Sequence, residues 1–105
     1  MVGRVGANLL LARSQLELGN PEAAIAGYER AGVDRLATAD RVQYARALSR
    51  EERFEAAAHQ YLTAAEADPE LAGWLRLSSV QAWAMAGDAD SALAAADGLR
   101  DHPSV

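Results

Sequence analysis

The chain has 105 residues, of which 25 are alanine and 13 are leucine, and this length and composition fit one small helical domain. The absence of cysteine excludes a disulfide scaffold, a cysteine-ligated metal site and a thiol nucleophile. The net charge of −5, the absence of lysine and the lack of any apolar run near the roughly 20 residues that span a bilayer argue against nucleic acid and membranes as partners.

Apolar residues three and four positions apart predict the first two helices. Leu9, Ala12 and Leu16 follow this spacing, and Gly19 is expected to end the first helix. Asn20 is a favoured N-cap, and the proline after it is tolerated at the first helical position, so a second helix is predicted to begin there. The apolar face of this second helix consists of Ala24, Ile25, Tyr28 and Ala31.

Two further helices are predicted in the middle of the chain. Thr38 or Asp40 is expected to cap a third helix that extends through Leu48. A fourth helix is predicted from about Arg53 to Ala67. Its inward-facing side chains are Phe54, Ala57, Ala58, Tyr61, Ala64 and Ala65.

The last third of the chain predicts two more helices. Asp68, Pro69 and Glu70 repeat the cap-then-proline pattern, which indicates the start of a fifth helix. Gly87 is expected to end this helix and Asp88 to cap a sixth. No segment alternates apolar and polar residues over the length of a strand, so the predicted fold class is all-α with six helices. The apolar residues of the last two helices are Leu71, Trp74, Leu77, Val80, Trp83, Ala89, Ala92, Leu93, Ala96 and Leu99.

The second helix of each pair matches the next by a nearly constant shift. Ala24 corresponds to Ala57 and Ala92, which lie 33 and then 35 residues further along. A helical hairpin that recurs about every 34 residues indicates a stacked solenoid, because one hairpin cannot bury its own apolar face. The small residues at these positions are interpreted as points where helices approach closely, with tyrosines filling the wider gaps. The other equivalent positions include the turn residues Gly19, Glu52 and Gly87, and the helix residues Tyr28, Tyr61 and Ala96.

This pattern resembles the tetratricopeptide repeat family. That repeat has a small residue in its first helix, glycine at the turn, and alanine, an aromatic residue and alanine in its second helix. The matching segments are about 5–37, 38–71 and 73–105, with Glu52 in place of the turn glycine in the second. The resemblance implies that residues 1–105 form one domain, a right-handed superhelix of three hairpins. The departures in the third segment are Val80, Ala96 and Leu99.

The sequence shows no catalytic pattern. Neither His59 nor His102 has a serine or carboxylate at a spacing that indicates a triad. We therefore expect no enzyme activity, no metal ion and no cofactor. The neighbouring carboxylates lie where helices begin and are expected to act on the helix dipole and the free N–H groups. These carboxylates are Glu51, Glu52, Glu55, Asp88 and Asp90.

The resemblance also implies a concave groove lined by the first helix of each hairpin. Three arginines in this groove would bind the carboxylates of an acidic peptide, with Trp74 and Leu77 as an apolar anchor. In the alternative interpretation, the same arginines pair with Glu17, Asp40 and Glu51 on a solvated surface. The predicted lining residues are Leu9, Leu10, Arg13 and Glu17 in repeat one, Val42, Gln43, Arg46 and Arg50 in repeat two, and Trp74, Leu77, Ser78, Gln81 and Met85 in repeat three.

One specific function within the family is not expected. Members that bind the C-terminal carboxylate of chaperones use lysine, asparagine and arginine at five groove positions. Only Arg13 and Gln43 are partial substitutes for those residues here. The five corresponding positions in this chain are Leu9, Arg13, Gln43, Trp74 and Ser78.

The predicted function is therefore a noncatalytic scaffold for protein–protein interaction, cytoplasmic by default. Two alternatives remain open at this point. The chain is either a self-association module that forms a homodimer through apolar terminal helices, or an accessory repeat region, a piece of a longer array, in a larger bacterial enzyme or regulator. The chain is rich in alanine and contains arginine but no lysine, and this composition is typical of a GC-rich bacterial source.

Overall fold

A computed structural model describes residues 3–100, and they form six α-helices with a short 3₁₀ turn, Val33–Arg35. No strand occurs in this part of the chain, so the predicted all-α class with six helices is confirmed. His102, the last five residues of the predicted third repeat and the side chain of Leu99 lie outside the described residues. The helices are α1 Gly3–Glu17, α2 Pro21–Ala31, α3 Thr38–Arg50, α4 Phe54–Ala67, α5 Ala72–Met85 and α6 Ala89–Arg100.

The same turn joins the two helices of each pair. Its central residues are Gly19, Glu52 and Gly87, whose φ angles of 80°, 60° and 80° all lie in the left-handed region. In each turn the next N–H donates to the carbonyl five residues earlier, the bond of a Schellman motif. The predicted alignment of the three turns is thereby confirmed. The three bonds run from Asn20 to Gln15 at 2.8 Å, from Arg53 to Leu48 at 2.8 Å and from Asp88 to Trp83 at 3.0 Å.

Of these three turn residues, only Glu52 has a side chain. Its left-handed backbone conformation is therefore expected to lower the stability of the fold. A left-handed conformation costs such a residue about 1 kcal/mol relative to glycine. We expect Glu52→Gly to raise the free energy of unfolding by about 0.5 kcal/mol, because glycine also makes the unfolded chain more flexible. Urea denaturation measures this change.

The control for that substitution is Gly87→Ala in the equivalent turn. A methyl group at Gly87 would meet no atom within 4 Å, so backbone strain alone should lower the free energy of unfolding, by about 1 kcal/mol. A loss of stability in Glu52→Gly would contradict the strain assigned to that turn.

Two predicted helix starts are wrong. α3 begins at Thr38, and neither predicted cap makes a capping hydrogen bond, because Asp40 lies inside the first turn and binds Arg13 of α1 instead. α5 begins at Ala72 rather than beside Pro69, because the residues from Asp68 onward form a turn with bonds from the N–H groups of residues 71 and 72.

Two other predicted starts are at the positions expected. α2 has Asn20 as its N-cap residue and proline at its first position, although the Asn20 side chain donates to Gln15 at 2.9 Å rather than capping the helix. Asp88 does cap α6, since its carboxylate accepts a 3.0 Å bond from the backbone N–H of Ser91. That bond holds the pKa of Asp88 below its usual range.

The helices pack mainly on their neighbours in the chain. We refer to α1 with α2, α3 with α4, and α5 with α6 as hairpins 1, 2 and 3. Within each hairpin the two helices pack together, α2 packs on α3, and α4 packs on α5. The described chain measures 42 × 26 × 19 Å. Contacts between consecutive units are what a stack of hairpins requires. None of the described helices is long and apolar enough to cross a membrane.

Small residues allow the close approach of the helices. Ala24 and Ala57 are fully buried, as their predicted role requires, and Ala92 is half-buried against the same core. In hairpin 1, a Cβ atom added to Gly27 would lie only 3.0 Å from the Cβ of Ala12. Larger side chains fill the spaces between these points. The largest fully buried side chains are Tyr28, Leu48, Leu75 and Ser79.

Candidate functional site

A cleft of about 360 Å³ lies between α1 and α3. We call it the basic cleft, because its lining carries three guanidinium groups and one carboxylate in a protein with a net charge of −5. Five of the predicted groove residues meet here, together with Leu16, which was assigned to the apolar face of α1. The lining residues are Arg13, Leu16, Glu17, Gln43, Arg46 and Arg50.

Arg13 forms an ion pair with a buried carboxylate, although its own side chain is half exposed. Its Nε and Nη2 atoms donate to the two carboxylate oxygens of Asp40 at 2.9 and 2.6 Å. Asp40 is buried, and the Tyr28 hydroxyl donates to it at 3.4 Å. The hydrogen bonds from Arg13 hold the pKa of Asp40 below its usual range, while burial raises the pKa of Tyr28 to about 12. This network joins α1, α2 and α3 and leaves Arg13 with its charge compensated.

The other two arginines of the basic cleft, Arg46 and Arg50, have no such partner. Among the described side chains, neither forms an ion pair, so the pairs expected with Glu17 and Glu51 are absent from this part of the chain. The two lie one turn apart on α3, and both are exposed. Their positive charges are therefore available to a ligand.

Arg46 also links α3 to α5. Its guanidinium carbon lies 6.0 Å from the ring centroid of Trp74, at the outer limit of a cation–π contact. Trp74 is 51% exposed, so its ring retains free surface for an apolar group. The predicted anchor is thus next to one of the two arginines that lack a carboxylate partner.

The remaining groove residues of α5 line a second cleft. It has a volume of about 280 Å³ and lies against α3, α4 and α5. Ser78, Gln81 and Met85 of the prediction are found there. The hydroxyl of Ser78 donates to the carbonyl of Trp74 within the same helix at 3.2 Å. α3 contributes to both clefts, with Arg50 in the basic cleft and Ser49 in the second.

Five predicted groove residues line neither of these two clefts, and Trp74, described above, is one of them. Val42 is buried in the core rather than exposed on the groove surface. It lies beside Gln43 on the helix, and the boundary between core and groove falls between them. Leu9 packs half-buried against the core, and Leu10 is exposed away from the lining. Leu77 is about half exposed on α5 and lines neither cleft.

His59 packs against an aromatic side chain. The ring of His59 lies edge-on against Trp83, with centroids 4.9 Å apart and an interplanar angle of 82°. His59 and residues 52–56 border an open cleft of about 690 Å³. The equivalent residues one repeat earlier, 19–23, border a cleft of about 480 Å³, so this depression follows the stacking of the hairpins. Within residues 3–100, no group of three or more histidine, aspartate or glutamate side chains could hold a metal ion.

The comparisons with known proteins add no assignment. No protein-family model matches the chain, and no curated protein or solved structure matches it. The fold and the site together define a stack of helical hairpins with a basic, partly apolar cleft.

Proposed function

We propose that this protein is a noncatalytic scaffold that binds a peptide segment of a partner protein in the basic cleft. One observation carries the proposal. Arg46 and Arg50 face the same cleft without a carboxylate partner among the described side chains, in a protein that is acidic overall. The resemblance of the repeat pattern to tetratricopeptide repeats supports the same function.

The geometry favours a ligand with carboxylate groups. A guanidinium group presents a planar fork that binds a carboxylate through two hydrogen bonds. The two hydrogen bonds to Asp40 hold Arg13 in place, so this wall of the cleft loses little conformational freedom when a ligand binds. Leu16 adds apolar surface within the cleft, and the exposed ring of Trp74 adds apolar surface beside Arg46.

The spacing of the two arginines indicates how the carboxylates of a ligand are arranged. Arg46 and Arg50 are separated by about 6 Å along the axis of α3. In an extended chain, side chains two residues apart point the same way and lie about 6.5 Å from each other. We therefore propose an extended segment with acidic residues at alternate positions and an apolar residue that contacts Trp74.

The test is the binding of a fluorescently labelled peptide that carries glutamates at alternate positions next to a phenylalanine, followed by anisotropy. We expect Arg46→Ala and Arg50→Ala each to weaken binding at least about tenfold, because each removes a charge-assisted hydrogen bond. Binding should also weaken as salt is raised.

The matched control is Arg30→Ala. Arg30 is exposed on α2 and lies outside the lining of the basic cleft, so its loss changes the net charge equally without touching the site. A second control peptide carries glutamine in place of both glutamates. The proposal is wrong if Arg46→Ala weakens binding no more than Arg30→Ala does, or if the glutamine peptide binds equally well.

A further inference from the structure

The stack has two internal interfaces, one between hairpins 1 and 2 and one between hairpins 2 and 3, and equivalent positions are buried in both. In α3, the residues Asp40, Tyr44 and Ala47 are buried, and the ring of Tyr44 lies 5.9 Å from that of Tyr28 in the preceding hairpin. The residues 35 positions later in α5 are Leu75, Ser79 and Ala82, and all three are buried as well. The same row of positions is therefore buried on α3 and on α5, the two first helices that follow another hairpin.

The same row is exposed on α1. Its residues, 33 positions before those of α3, are Ala7, Leu11 and Ser14, and each is exposed. Leu11 replaces Tyr44 of the internal interface and is 45% exposed. We call this row the front face.

On the opposite side of the stack, two positions that are buried in hairpin 2 are exposed in hairpin 3. Val42 on α3 and Ala58 on α4 are buried in hairpin 2, which hairpin 3 follows. The equivalent residues of hairpin 3 are Leu77 and Leu93, which are 47% and 66% exposed. We call these two residues the back face. Ile25 of hairpin 1, equivalent to Leu93, is also buried, so only the last hairpin leaves this position open.

We propose that the front face of one copy of this chain packs against the back face of another. The internal interfaces show which occupant fits, because in each of them the first helix that carries the row packs on the second helix of the preceding hairpin, where the residue equivalent to Leu93 is buried. The front face is such a row, and the same chain carries both halves. An interface between two different surfaces of the same protein is heterologous, so it extends the stack head to tail rather than closing into a symmetric dimer.

Two variants, each blocked at one face, test this arrangement. Sedimentation velocity over a range of concentrations should show wild-type protein assembling beyond a dimer as concentration rises. Leu11→Arg and Leu93→Arg should each weaken association at least about tenfold, because a buried leucine contributes that much to an apolar interface. Mixing the two variants should give a one-to-one heterodimer and nothing larger, because each retains the face that the other has lost.

Leu10→Arg is the matched control. Leu10 is 64% exposed on α1 but lies outside the front face, so association should be unchanged. Circular dichroism verifies that every variant is folded, which the exposure of all three leucines favours. A wild-type protein that stays monomeric, a mixture without heterodimer, or an effect of Leu10→Arg equal to that of Leu11→Arg would each overturn the proposal.

Discussion

Replacing Leu48 with alanine is expected to lower the free energy of unfolding by about 3 kcal/mol. The Leu48 side chain is fully buried in hairpin 2. Its truncation removes apolar contacts and leaves a cavity that rigid helices cannot close completely. Because hairpin 2 packs against both of its neighbours, the loss should destabilise the whole stack rather than one end.

Urea denaturation followed by circular dichroism measures this effect. Leu10→Ala is the control, since it deletes the same atoms from a side chain that is 64% exposed and should change stability by less than about 0.5 kcal/mol. Equal effects of the two substitutions would contradict the central position of Leu48. Two separate unfolding transitions in the Leu48→Ala variant would contradict the cooperative coupling of the hairpins.

The helices and the turns within hairpins could be predicted because their signals are local. Apolar residues three and four positions apart determine which face of a helix is buried, and this spacing is visible in the sequence. The turn at Glu52 shows how the repeat adds information. Its glutamate alone does not indicate a left-handed residue, but its alignment with Gly19 and Gly87 does, and the backbone of all three turns agrees.

The helix starts at Thr38 and Ala72 could not be predicted in the same way. A residue that favours capping is free to make other hydrogen bonds, and the choice depends on what packs nearby in three dimensions. Asp40 binds Arg13 and Tyr28, which are 27 and 12 residues away in the chain. The sequence could name Asp40 as a candidate partner for the groove arginines, but it could not show that only Arg13 would reach it.

The candidate site was predictable to the extent that it follows the repeat. Arg13 and Arg46 are 33 residues apart and therefore lie at equivalent positions on adjacent first helices, which brings them to one cleft. Val42 was assigned to the groove by its position in the repeat, but its side chain is buried in the core. Only the packing of the next hairpin decides which of two adjacent residues, Val42 or Gln43, is covered.

Removal of the buried carboxylate tests the network beneath the basic cleft. Asp40→Ala is expected to lower the free energy of unfolding by about 2 kcal/mol at pH 7, because Arg13 and Tyr28 both lose their acceptor. Asp34→Ala, which removes an exposed carboxylate, should change stability by less than about 0.5 kcal/mol. Equal losses in the two variants would show that the network contributes nothing specific.

The pH dependence provides an independent check on the same residue. The pKa of Asp40 is lower in the folded protein than its ordinary value of 3.8, so its ionised form stabilises the fold at any pH above that value. As the pH falls below about 4 and then through the lowered pKa, the folded protein must take up the proton, and this stabilisation disappears. The difference in unfolding free energy between the wild type and Asp40→Ala should therefore be constant near neutrality and shrink in acid. A difference that persists unchanged well below pH 4 would mean that packing, rather than the charge of Asp40, accounts for its contribution.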